Sequence, residues 1–365
     1  MEKRTSNFSK VAFISLSSNP DMVAYFALKI THFSNLGSSF YTSKDALMLD
    51  HNGLAEATPI ISSGKNKLSL VIFSDSLNAI LNSIFKIYNS SVKVVIFENE
   101  HYLNAVIAFT LKILGIKSIF SIHDFEPHEG KMRFVFKIYN YFVRNFLATA
   151  FVCFSQVSYC QLVKLRPTYL TKLIGFSLLE QINMERGKHF LWFGRIEPYK
   201  GLDNLLHILK ELDARSFCYR VIIAGNGYDP SIEPLSKNPS VEILNRFIAE
   251  DELNTLLENS IATLLPYKSA TQSGVILKSF SALVPVICFD VGSLKEYVKD
   301  GCSGYLVSPQ NYKVFADKIE LSIKEETHLK SNLREIMLGE YSSKHILSDY
   351  SKGISFFLKE YNFTQ

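Results

Sequence analysis

The sequence predicts an α/β protein built from two doubly wound parallel sheets, and three observations carry that expectation. Short apolar, β-rich runs alternate with segments of helical period almost from end to end. The runs are continuously apolar, the pattern of parallel strands covered on both faces. At 365 residues, 47% of them hydrophobic, the chain exceeds one typical core and fits two Rossmann-like domains.

In order, the expected strands of the first half are "VAFISL" (11–16), "LSLVIFS" (68–74), "VKVVIFE" (92–98), "KSIFSIH" (117–123) and "AFVCFS" (150–155). Between them lie helical stretches such as "DMVAYFALKITHFSNLG" and "YLNAVIAFTLKILG", the second ending on Gly115 as its cap. The second half repeats the rhythm with "HFLWFGRI" (189–196), "YRVIIAG" (219–225), "VEILNRF" (241–247), "IATLLPY" (261–267), "PVICFD" (285–290) and "SGYLVSP" (303–309). The irregular "SLLEQINMERGK" (177–188) is the expected hinge, which gives domains over 1–180 and 181–340 and a tail over 341–365.

Several classes are set aside by composition. A net charge of +4 is mild for this length and does not by itself call for nucleic acid. Cys153, Cys160, Cys218, Cys288 and Cys302 are scattered without a CxxC pair or metal-ligand spacing, so they read as reduced core residues of a cytoplasmic protein. The start, "MEKRTSNFSK", lacks the apolar stretch of a signal peptide, and no run reaches the ~18 apolar residues of a spanning helix. The expectation is a soluble or peripheral protein with no bound metal.

In doubly wound sheets, ligands gather beyond the carboxyl ends of the strands. There "FGRIEPYKG" (193–201) ends a strand at Gly194-Arg195 and opens a helix at Lys200-Gly201. Arg195 and Lys200 can converge on a phosphate or diphosphate; the alternative is a solvated loop with two surface cations. A second half-site is "YKSATQSGVILKSF" (267–280). Ser273 or Thr271 can cap a helix beginning near Gly274, whose free N–H groups and positive dipole end suit an anion. Gly274 lacks the Cβ that would block a phosphate. The alternative is an ordinary capped helix.

"LWFGRIEPYKGLDNLL", then "VIIAGNG", then the stretch from "AEDELNTLLENSIATLLPYKSATQSGVILKSF" to "GYLVSP" resembles the donor half of the large retaining family of GT-B glycosyltransferases, family 4, glycosyl transferases group 1. The likeness spans roughly residues 190–310. It implies the GT-B fold, with two Rossmann-like domains facing across a cleft, an acceptor-side N-terminal domain, a nucleotide-sugar domain and C-terminal helices that cross back. It places Arg195, Lys200, Ser273 and Gly274 on the donor diphosphate, and Asn245, Arg246 and Phe247 by the base. Thr271, Gln272 and Glu296 fall in the same neighbourhood. The substrate implied is a UDP- or GDP-linked sugar, with no cofactor, and the acceptor is a glycan, often lipid-linked, in bacterial surface-polysaccharide assembly.

More loosely, "SIHDFEPHEG" (121–130) resembles the family's acceptor-side loop. His123 is the positional match for a histidine that orients or deprotonates a hydroxyl, with Glu126 and His128 as further candidates; the alternative is a histidine satisfied at a strand end.

The chain departs from the family at one place. The resemblance implies two acids with seven residues between them, the second accepting hydrogen bonds from ribose, at positions held here by Ala270 and Lys278. Lysine cannot accept a hydrogen bond. Lys278 either adds charge to the phosphate site or lies in solvent. The missing acids favour a non-catalytic GT-B subunit that binds nucleotide or a partner as the alternative; a third reading, an epimerase of the same architecture, would want acids in the cleft.

Finally, "GKMRFVFKIYNYFVRNFLATAF" (130–151) interleaves Lys131, Arg133, Lys137 and Arg144 with aromatics and contains no acid. Such a helix suits an anionic membrane surface, on the inner face of the cell membrane; the alternative is a core helix with solvated cations.

Overall fold

The computed structural model describes residues 7–17, 20–50, 52–61, 70–123, 125, 133–173, 178, 187–270 and 273–361. It divides into two compact units. One runs to Leu173 and takes in the chain again from Ile346; the other is Ile174–His345.

The N-terminal unit holds seven parallel strands: β1 (Val11–Ser15), β2 (Ser39–Ser43), β3 (Thr58–Ile61), β4 (Val94–Phe97), β5 (Lys117–Ile122), β6 (Ala150–Cys153) and β7 (Thr168–Leu170), in the spatial order β3-β2-β1-β4-β5-β6-β7. β1, β4 and β6 are buried along their whole length, as continuous apolar strands between two layers of helices must be. The helix Tyr102–Ile113 ends where Gly115, at φ +78°, turns the chain back.

Four elements differ from the expectation, one of them β7, an unforeseen strand of only three residues. The run over 68–74 is not a strand: its described part, from residue 70, opens the helix Leu70–Tyr88. A short apolar run has no periodicity of its own, and the spacing of Ile80, Ile84 and Ile87, all buried, decides for the helix. β2 was hidden because "SFYTS" is mostly hydroxyl residues, and β3 because "TPII" carries a proline. That proline is tolerated because β3 is an edge strand.

The C-terminal unit holds six parallel strands: β8 (His189–Phe193), β9 (Val221–Gly225), β10 (Val241–Asn245), β11 (Ser260–Leu265), β12 (Val286–Phe289) and β13 (Gly304–Val307), in the order β10-β9-β8-β11-β12-β13. One core, around Trp192, Ile208 and Phe315, fills one face of the sheet, and a smaller one, around Leu191, Ala224 and Leu257, fills the other. Most of the expected hinge, 177–188, lies outside the described residues.

Tyr350, on the helix Ser343–Glu360, donates its hydroxyl to Glu98 beyond the end of β4. The preceding residue, Asp349, accepts from Tyr169 and Thr171 at the edge strand β7. Of the cysteines, Cys153 and Cys288 are core residues, but Cys160 and Cys218 are exposed, which corrects the expectation that all lie inside.

Candidate functional site

In the C-terminal unit the strand order reverses between β8 and β11, the switch point at which doubly wound sheets gather ligands. The loops after these two strands are fastened together. Gly201 adopts φ +70°, and a Cβ there would lie 2.0 Å from the Pro266 carbonyl oxygen, so no other residue fits. That oxygen accepts from Asn204 Nδ2 at 2.8 Å, and Lys268 N–H donates to the Tyr199 carbonyl at 2.8 Å.

This clamp fixes Lys200. Its residue is 7% exposed, and Nζ lies 5.8 Å from the Trp192 ring centroid and 5.6 Å from that of Tyr267. A Cβ on Gly194 would sit 2.6 Å from Nζ and 3.7 Å from Val275 Cγ2. The ammonium, the Gly194 turn and the start of the helix Gly274–Ser281 therefore meet at one point. Burial, then the neighbouring Arg195, lowers the Lys200 pKa to about 8, with Glu197 opposing. Arg195 itself is largely exposed and pairs with Glu197 at 3.2 Å.

The helix start is open. Among the described residues, no atom outside its chain neighbours and its own helix backbone lies within 4 Å of the site of a Cβ on Gly274. Ser273 occupies the cap position, buried and extended, but its side chain makes no capping hydrogen bond, which corrects the Ser273 half of the expected Ser273-or-Thr271 cap. The leading amides are thus not taken by that hydroxyl. Thr271 and Gln272 lie outside the described residues. The Ala270 carbonyl accepts from Ser293 N–H at 3.2 Å, which draws in the turn after β12 and the partly buried Glu296.

On the other flank, Asn245 exchanges two hydrogen bonds with the Gly227 backbone, at 3.2 and 3.3 Å. Arg246 grips Glu252 through both nitrogens, at 2.7 and 2.5 Å. Phe247 and Tyr228, each 77% exposed, present bare rings at the carboxyl ends of β10 and β9.

Lys278 does not lie in solvent. Its side chain is 8% exposed, and Nζ donates to Glu250 Oε1 at 3.0 Å. Sequence reasoning missed Glu250, because nothing in the sequence links it to a lysine 28 residues on.

In the N-terminal unit, His123 follows β5 and packs on Phe154, with ring centroids 4.8 Å apart and the planes tilted by 30°. Its Nε2 lies 3.1 Å from the Glu98 carbonyl. A carbonyl only accepts, so Nε2 carries the proton, and in the neutral ring the lone pair is on Nδ1. Glu126 and His128 lie outside the described residues.

Of the membrane candidates, Lys131 is outside the described residues and nothing is described of the Arg133 side chain. Lys137 is exposed on the helix Arg133–Phe142. Arg144 is buried, over the Phe125 ring at 4.1 Å and donating to the Phe125 carbonyl, so it faces no membrane. The structure adds two further helices to this face. Leu70–Tyr88 packs on Tyr102–Ile113, which packs on Arg133–Phe142. Outward stand Leu81 and Phe85 on the first, Val106, Phe109 and Ile113 on the second, and Ile138 and Tyr141 on the third. Exposed Lys86 and Lys112 join Lys137.

Among the described residues no three His, Cys, Asp or Glu side chains gather as a metal site requires, and no helix is long and apolar enough to cross a membrane.

Residues 187–325 match the family described as Glycosyl transferases group 1. Among curated proteins, the GDP-mannose:glycolipid 4-beta-D-mannosyltransferase of Xanthomonas campestris pv. campestris is 22% identical over 201 residues, 50% of this chain and 53% of that one. The capsular polysaccharide biosynthesis glycosyltransferase CapM of Staphylococcus aureus is 25% identical over 178 residues, 46% of each. The chain spans about half the length of the curated relatives it matches. Among solved structures, Anabaena Alr3699/HepE in complex with UDP superposes with a TM-score of 0.69 at 15% identity, over 95% of this chain and 99% of that one. The fold is therefore of the GT-B class, and the family match falls within the C-terminal unit.

Proposed function

We propose that the protein transfers a hexosyl group from a UDP- or GDP-linked donor to a hydroxyl of a lipid-linked glycan in bacterial polysaccharide synthesis, without a cofactor. The observation that carries this reading is the meeting of Lys200, the Gly194 turn and the open helix start at Gly274. A buried ammonium, an exposed guanidinium on Arg195 and oriented amides suit the charge that grows on a leaving diphosphate. The bare rings of Phe247 and Tyr228 can stack on a base. His123, oriented by the Glu98 carbonyl, is the group that would orient an acceptor hydroxyl. The names of the relatives, a mannosyltransferase acting on a glycolipid and a capsular polysaccharide enzyme, support the acceptor class.

The lipid-linked acceptor accords with the three-helix face of the N-terminal unit, which combines exposed apolar side chains with lysines. Residues 76–97, 101–123 and 130–151 contain no acid. An anionic bilayer on the cytoplasmic side is the complementary surface.

A screen of UDP- and GDP-sugars for nucleotide release, with and without lipid extract, tests the transfer. Tight nucleotide binding without turnover on any donor would favour the second reading, a non-catalytic nucleotide-binding subunit, for which Ala270 and Lys278 in place of two acids are the supporting observation.

A further inference from the structure

We infer that Glu250, anchored by Lys278, is the carboxylate that accepts hydrogen bonds from the ribose hydroxyls of the donor nucleotide. This rests on the nucleotide-diphosphate reading above. A buried ammonium needs a partner. Lys278 finds it in Glu250, whose own side chain is 70% exposed. One carboxylate oxygen is tied to the buried cation, and the rest of the group opens to solvent.

The placement suits a nucleoside. Lys278 stands about one helical turn, ~6 Å, beyond Gly274. That is roughly the span from a phosphate to the far edge of the ribose it esterifies. Glu250 opens the helix Glu250–Glu258, which follows β10, just beyond Phe247. The pair thus stands at the same carboxyl edge of the sheet as Lys200.

The chemistry selects a carboxylate. A vicinal diol presents two O–H donors, which neither an ammonium nor helix amides can accept. In nucleotide-binding Rossmann units an acid beside the ribose commonly does so. Of the neighbouring acids, Glu252 is gripped by Arg246 and Glu197 is paired with Arg195. Glu250 alone of the three is fixed by a buried residue while largely exposed. Lys278 is accordingly a positioning residue: it holds the acid without touching the sugar.

Calorimetry on the full chain with UDP and GDP, each against its 2′,3′-dideoxy analogue, tests this. The unaltered protein should prefer the ribonucleotide by roughly 10-fold or more, the scale of hydrogen bonds to a charged group. Glu250→Ala should lower ribonucleotide affinity by about the same factor and abolish the preference, leaving the dideoxy affinity nearly unchanged. Glu250→Gln keeps an acceptor for the buried ammonium, so it guards against misfolding; the preference should shrink. If binding stays intact and the preference survives in both variants, Glu250 is not the acceptor and this inference falls alone. If the unaltered chain binds neither nucleotide, the nucleotide-diphosphate reading falls with it.

Discussion

Tyr350 Oη and Glu98 Oε1 are 2.8 Å apart, although 252 residues separate them in the chain. The other carboxylate oxygen meets Lys29 Nζ at 2.5 Å and Ser121 Oγ at 3.0 Å. The Lys29 ammonium in turn stands 3.9 Å from the Tyr350 ring centroid. All four groups belong to one unit and are buried. The carboxylate at the switch between β1 and β4 is thereby tied to the far end of the sequence, and its carbonyl holds His123.

Glu98→Gln leaves a buried ammonium without its counter-charge. The expected loss is about 3–5 kcal/mol. Tyr350→Phe removes one hydrogen bond to a charged group and should cost about 1.5–3 kcal/mol. Urea unfolding measures both; a Glu98→Gln variant as stable as the parent would show that the pair contributes nothing net.

Arg195→Ala and Lys200→Ala should each weaken nucleotide diphosphate binding by about 1.5–3 kcal/mol, the range for hydrogen bonds to charged groups. Calorimetry with UDP and GDP decides it. Unchanged affinity in both variants would mean that the loop after β8 serves another purpose.

Lys200 gives binding and stability opposite pH dependences. Its pKa falls from 10.5 to about 8 on folding, so between these values the unfolded chain holds the extra proton. Its contribution to the stability of the unliganded protein therefore rises with pH across that window. Diphosphate requires the ammonium, so affinity should fall above pH 8. Lys200→Met should flatten both profiles; an affinity that climbs with pH in the parent would contradict this assignment.

Gly201→Ala must place a Cβ against the Pro266 carbonyl at a positive φ. It should lower stability by about 1–3 kcal/mol or more and weaken nucleotide binding through Lys200. Thermal unfolding and calorimetry together check the coupling. A variant with normal unfolding and normal binding would show that the two loops are not clamped there.

Flotation with anionic liposomes should recover the protein, and added salt should release part of it. Phe109→Ser and Tyr141→Ser should reduce recovery at low salt, since they remove exposed apolar area without changing charge. Recovery unaffected by these variants would move the contact to another face.

The sheet of the C-terminal unit was readable because its strands, "HFLWF", "VIIAG" and "SIATLL", are buried from end to end, so each shows as a mostly apolar run without a charged carboxylate, lysine or arginine. "LVIFS" has the same look and proved helical, since an apolar run carries no period until its flanks supply one. Lys200 and Arg195 could be picked out because both sit in one nine-residue loop. The fate of Lys278 could not: burial and a partner on another helix are properties of tertiary packing. Arg144 misled for the converse reason, since its aromatic neighbours in sequence resembled a membrane anchor while its guanidinium stacks inside on Phe125.

The return of the chain to the N-terminal unit imposes an order on synthesis. Lys29, Glu98 and Ser121 leave the ribosome well before Tyr350, and the whole of Ile174–His345 emerges between them. At about 5–20 residues per second that interval is roughly 10–30 s. During it the buried carboxylate lacks its tyrosine and β7 lacks Asp349, so the C-terminal unit, although translated later, is the first that can be completed.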